Sequence, residues 1–134
     1  IKLYRSREGT ITAVDTKSQL TTLGSETAPG PLLVPAGAKA LRAIICAVQC
    51  DNSVAADGAY IIRLEGPGLP EGPETLTIGA SGAGVATGGT SASPAFRVEI
   101  NIPVTPANEI LIFGENGGED TGSTTIGVTI EFEM

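Results

Sequence analysis

The heptapeptide Phe96-Arg97-Val98-Glu99-Ile100-Asn101-Ile102 alternates apolar and polar residues without a break. Successive side chains of a strand point to opposite faces, so this pattern predicts a strand with one buried face. Phe96, Val98, Ile100 and Ile102 are expected to turn inward, with Arg97, Glu99 and Asn101 outward. Thr125-Ile126-Gly127-Val128-Thr129-Ile130-Glu131-Phe132-Glu133 repeats the pattern, turning Ile126, Val128, Ile130 and Phe132 inward and Glu131 and Glu133 outward. The abundance of Ile, Val and Thr agrees with β-propensity.

Working outward from these two strands, others become legible. Lys39 to Cys50 is apolar on both faces and predicts a central strand covered on each side. Tyr60 to Glu65 predicts a strand with Tyr60, Ile62 and Leu64 inward and Arg63 and Glu65 outward. Thr75–Ile78 and Glu109–Phe113 are expected to be short strands, as are Ile1–Tyr4, Thr10–Val14 and Leu32–Val34. No stretch has helical periodicity. The 18 Gly and 9 Pro fall between the apolar runs, where turns belong.

The expected fold class is therefore all-β: an antiparallel β-sandwich of about eight strands, closed to hide its edges. Long connections at 24–31, 66–73 and 79–93 favour a Greek-key or jelly-roll sandwich over an up-and-down barrel. A chain of 134 residues suits one domain. Its expected division is an N-terminal arm or edge strand over 1–17 and the β-sandwich domain over 18–134.

Composition excludes several functions. Net charge is −7 and there is no His or Trp. A duplex nucleic-acid binder needs many cations against phosphate, so nucleic acid is not an expected partner. No apolar run approaches the 18 or so residues of a membrane-crossing helix, and no membrane partner is expected. The commonest general base and zinc ligand are missing with His. The remaining carboxylates Glu65, Glu99, Glu131 and Glu133 read as outward strand positions, not as a catalytic pair. The chain is expected not to be an enzyme and to need no cofactor.

Gly82-Ala83-Gly84 with Gly88-Gly89 superficially looks like a phosphate-cradling loop, but a strand follows it where such a loop needs a helix. Calcium is the one metal the sequence could serve: in the acidic stretch 114–123, Glu115, Asn116, Glu119 and Asp120 offer hard oxygen ligands. The spacing fits no EF-hand, and a solvated hairpin loop is the competing reading. Asp51, Asn52, Ser53 and Asp57 form a weaker acidic turn. Cys46 and Cys50 would lie about 13 Å apart on one strand, beyond the roughly 7 Å limit of a disulfide, and read as small buried hydrophobes.

Charge is segregated along the chain. Residues 1–17 carry a local +2 from Lys2, Arg5, Arg7 and Lys17 against Glu8 and Asp15, leaving −9 for the rest. No Lys or Arg follows Arg97. A terminal segment opposite in sign to the body suits an arm lying on a neighbouring copy, with Lys2, Tyr4, Arg5 and Arg7 as its contact residues; an ordinary edge strand with solvated cations is the alternative.

Val34-Pro35-Ala36-Gly37-Ala38-Lys39-Ala40-Leu41-Arg42-Ala43-Ile44 is a turn leading into a strand, and Gly118-Glu119-Asp120-Thr121-Gly122-Ser123 feeds the final strand ending at Phe132. With the Gly-rich loop between them, these resemble the small single jelly-roll virion proteins of bacterial and archaeal viruses, capsid or decoration subunits, over residues 31–133. The resemblance implies a symmetric, self-assembling subunit in a virion or outside the cell. Its partners would be copies of itself, in a trimer or larger assembly, and other virion proteins. Two other functions fit the same architecture: an extracellular filament subunit assembling by strand addition, and a calcium-dependent carbohydrate-binding module.

Overall fold

The computed structural model describes residues 1–11, 16–21, 30–51, 58–70, 76–82, 90–92, 96–116 and 123–134. Ten strands and no helix occur among them: β1 (Lys2–Ile11), β2 (Ser18–Gln19), β3 (Leu32–Leu33), β4 (Ala40–Asp51), β5 (Gly58–Glu65), β6 (Leu76–Gly82), β7 (Thr90–Ala92), β8 (Phe96–Pro103), β9 (Glu109–Asn116) and β10 (Ser123–Glu133). All pair antiparallel, in two sheets.

The first sheet runs β1-β10-β4, with β7 and β8 sharing the far side of β4. The second runs β9-β5-β6, with β2 and β3 sharing the near side of β9. Taking β2 with β3 and β7 with β8, each sheet has four strand positions, and β8, β9 and β10 alternate between sheets. Two four-position sheets joined by these crossings make a jelly-roll sandwich.

Alternation explains the core. Ile11 of β1, Leu41, Ile44 and Cys46 of β4, and Ile126, Val128, Ile130 and Phe132 of β10 are buried from one sheet. Leu32 of β3, Ile62 and Leu64 of β5, and Ile110 and Ile112 of β9 join the same apolar cluster from the other, with Leu20 and Val34 beside them. The two sheets pack tightly at Gly114, where an added Cβ would lie only 2.7 Å from Ile11 Cδ1. At Gly66, φ is +120° and an added Cβ would meet the Glu109 carbonyl oxygen at 2.7 Å, so the turn after β5 needs a residue without a side chain.

Several expectations change in detail. The strands expected at Ile1–Tyr4 and Thr10–Val14 fall, where described, in one continuous β1 paired with β10 from Lys2 to Ile11, and residues 12–14 lie outside the described residues. Strand β6 runs on through Gly82, and β7 occupies 90–92, so two parts of the expected 79–93 loop are strand. Strand β9 extends to Asn116, into the expected acidic loop. Val98, Ile100 and Ile102 are half-buried instead of fully buried. The reason is position: among the described residues β8 pairs only with β4, so its inward face is covered from one side only. The Tyr60 and Phe96 side chains lie outside the described residues.

Candidate functional site

The outer face of the β1-β10-β4-β8 sheet holds the one buried charge cluster among the described residues. Pairing register places Tyr4 beside Glu131, Glu131 beside Ala43, and Ala43 beside Glu99, so these four form a row across four strands. Arg97 pairs with Ile45, one step along the same face. Ala43 has only a methyl group, which leaves room for the Arg97 side chain to cross β4 and reach β10. There the guanidinium donates two hydrogen bonds to Glu131, Nη1 to Oε1 at 3.0 Å and Nη2 to Oε2 at 2.9 Å. From the opposite side, the Tyr4 hydroxyl donates to Glu131 Oε1 at 2.9 Å. Lys2 Nζ stands 3.7 Å from Glu131 Oε2.

Glu131 is therefore only 1% exposed, although it occupies an outward strand position. The expectation of a solvated Glu131 is corrected here: neighbouring side chains cover it. Two-pronged Arg–carboxylate pairing is the strong form of the ion pair. The Arg97 hydrogen bonds are the main cause that brings the Glu131 pKa from 4.5 down to about 2, winning over the desolvation that pushes it up. The same pairing pushes the Arg97 pKa up, and donation to Glu131 raises that of the Tyr4 phenol.

Such a carboxylate stays ionised, and its oxygens are occupied by donors. A general acid or base must instead be poised near the working pH. The cluster acts as a cross-brace tying β1, β10 and β8 together over β4. It forms the floor of a concavity of about 290 Å³ whose rim includes Lys2, Arg42, Glu99 and Glu133. A neighbouring hollow of about 320 Å³ is lined by Ser6, Ile45, Ala47, Gly127 and Thr129 together with Arg7 and Glu8. The Ser6 and Thr129 hydroxyls share a hydrogen bond of 2.7 Å across β1 and β10.

The expected arm residues all belong to β1. Lys2 and Tyr4 serve the brace. Arg5 Nη1 donates to the Tyr4 carbonyl at 3.1 Å. Arg7 donates through Nε to the Gly30 carbonyl at 3.0 Å and through Nη2 to the Pro31 carbonyl at 3.4 Å, stapling that segment to the first strand.

The four expected calcium ligands fare differently from one another. Glu115 lies on β9 with its carboxylate 3.5 Å from Arg63 Nη2. Asn116 ends β9, in register with Tyr60. Glu119 and Asp120 lie outside the described residues, as do Asn52, Ser53 and Asp57. Among the described residues, no three His, Cys, Asp or Glu side chains come together to hold a metal. Cys46 is a free, fully buried thiol whose pKa is pushed up to about 11 by desolvation. Cys46 and Cys50 both lie on β4, in register with Val128 and Thr124.

Sequence reasoning named every member of the brace but did not connect them. Tyr4 and Glu131 are 127 residues apart, and Arg97 and Glu131 are 34 apart. Local patterning carries no signal for that meeting; the signal appears only once β10 is known to lie between β1 and β4.

No family model matches the chain. No curated protein matches it. Among solved structures, it is similar to a chain of infectious bursal disease virus, Gx strain, with 19% identity and a TM-score of 0.38 over 96% of this chain and 32% of that one. A chain of the Gt strain of the same virus is similar at 17% identity and a TM-score of 0.33, over 96% of this chain and 36% of that one. The protein thus spans about a third of the length of the viral chains it matches. Both are chains of one virus, and neither comes from a bacterial or archaeal virus. The jelly-roll assignment rests on strand order and register, not on these matches.

Proposed function

We propose that this chain is a structural subunit of a virus shell, a capsid or decoration protein that assembles with copies of itself into a symmetric trimer or larger oligomer. In this reading it works without a cofactor, catalyses no reaction, and meets other virion proteins in the particle. The observation that carries the reading is the braced outer sheet with two open edge strands. A buried ion cluster stiffens the face across β1, β10, β4 and β8, while β1 and β8 leave one row of backbone donors and acceptors each without a partner strand among the described residues. Long edges of that kind are templates for pairing with another chain unless something covers them. A rigid sandwich with adhesive edges suits repeated contact between copies.

Size-exclusion chromatography with light scattering, followed by electron microscopy of the peak, tests the proposal. Closed rings or shells are expected. A strict monomer at high concentration would overturn the reading, and open fibres would replace it with a filament subunit.

A further inference from the structure

Arg42 is skipped by both ladders of β4. On one side Leu41 pairs with Phe132 and Ala43 with Glu131; on the other Leu41 pairs with Ile102 and Ala43 with Glu99. The bulge inserts Arg42 between a core-facing and an outward position, and its side chain is exposed. It lines the hollow of about 290 Å³ together with Lys2, Glu99 and Glu133. These four come from four adjacent strands: Lys2 from β1, Glu133 opposite it on β10, Arg42 from β4, and Glu99 from β8 beside Ala43. In strand order their charges read plus, minus, plus, minus. They do not neutralise one another: among the described residues no ion pair joins Lys2 to Glu133, Glu133 to Arg42, or Arg42 to Glu99. Lys2 and Glu99 touch the brace at 3.7 and 3.4 Å, yet their side chains stay 52% and 79% exposed.

We infer that this outer face packs against the same face of a second copy, about a twofold axis that lies in the interface and crosses the line of charges between Glu133 and Arg42. Such an axis reverses the line, and an alternating line of four is its own complement when reversed. Lys2 then faces Glu99 of the copy and Glu133 faces Arg42 of the copy, each twice, with residue i on j and j on i as a twofold requires. An axis through Glu133 would instead set Glu133 on Glu133 and Lys2 on Arg42. An axis through Arg42 would set Arg42 on Arg42 and Glu133 on Glu99. Like charges brought together across an interface are strongly disfavoured, so the pattern selects the central axis. Arg97 takes no part, since Glu131 and Glu99 already hold it. Sheets packed face to face stand about 10 Å apart, a gap that the long Arg42 and Lys2 side chains reach across. Charge pairs fix register and rate more than affinity, so apolar area has to come from beside the line. Tyr4, 49% exposed, and the outward Ile45 and Ala47 supply it on the same face. The contact rests on the self-assembly reading above and supplies one interface of such an assembly.

Charge reversal in separate chains tests it. Arg42→Glu sets a carboxylate against Glu133 of the copy, twice, and is expected to weaken association roughly tenfold or more in light scattering. Glu133→Arg sets a guanidinium against Arg42 of the copy, with the same result. Mixed in equal amounts, the Arg42→Glu chain meets the Glu133→Arg chain with opposite charges at both positions. Association is then expected to return to within a few-fold of the unaltered protein. A local disturbance within either chain would not be repaired by mixing. An unchanged circular-dichroism spectrum for each variant alone shows that its fold is intact; Lys2→Glu mixed with Glu99→Lys repeats the test on the outer pair. If the single variants assemble like the unaltered protein, or if mixing recovers nothing, this face is not the interface, while self-assembly through another surface stands. If the unaltered protein is monomeric at every concentration, both readings fall.

Discussion

Gly114→Ala is expected to force the two sheets apart, and its cost can be worked from the geometry. The added Cβ would lie 2.7 Å from Ile11 Cδ1 and 3.0 Å from Ile126 Cδ1. Carbon atoms in favourable contact sit about 3.5–4.0 Å apart, so the first shortfall is about 1 Å. Neither isoleucine has free space to rotate into, since both are essentially unexposed. Overpacking of this kind costs about 1–3 kcal/mol. Alanine recovers about 0.4–1 kcal/mol by narrowing the unfolded ensemble, which leaves a net loss of about 1–2 kcal/mol. For a chain of this length, that is a fall in Tm of roughly 4–8 °C. Ile11→Val removes the clashing methyl and alone costs about 0.5–1.5 kcal/mol. Together, the two substitutions are expected to cost about 1 kcal/mol less than their sum in urea denaturation, a coupling above the scatter of independent sites. Ile126 at 3.0 Å keeps the rescue partial. Additive losses would refute the argument that Gly114 sets the spacing of the sandwich through Ile11.

The brace predicts a pH dependence. The Glu131 carboxyl titrates at about 2 in the folded protein against 4.5 ordinarily, so its contribution is fully present above about pH 4.5 and is lost as pH falls towards 2. Urea midpoints measured from pH 6 to pH 2 are expected to fall less steeply in Glu131→Gln. Ala43→Leu fills the space through which Arg97 crosses β4 and is expected to lower the melting temperature and push the Tyr4 phenol further above its ordinary pKa, because the Arg97 charge that opposes the rise is withdrawn while the hydrogen bond to Glu131 stays, read by ultraviolet titration in a Tyr60→Phe background. Cys46, buried and with its thiol pKa pushed up to about 11, is expected to resist a thiol reagent at pH 8 and react only on unfolding, checked in a Cys50→Ala chain so that one thiol is counted.

The strands were legible because strand periodicity is local. In β10, Ile126, Val128, Ile130 and Phe132 all face the core, as alternation demands. In β8, alternation named the right row but not its depth: Val98, Ile100 and Ile102 are half-buried because coverage depends on where the strand falls in the sheet. Glu131 shows the same limit from the other direction. Its charge and its place in the alternation both marked it as solvated, yet it is buried beneath groups from β1 and β8.

The amino-acid sequence by itself determined the all-β class, the main strands and their faces. Those depend on φ/ψ preference, on a two-residue period and on glycine and proline turns, which act within a few residues. The tertiary structure alone decided which strands became neighbours, and hence that a tyrosine, an arginine, a lysine and a glutamate meet. Hydrogen bonds and ion pairs have short reach, so their partners exist only after the chain has brought distant segments within about 3 Å of one another.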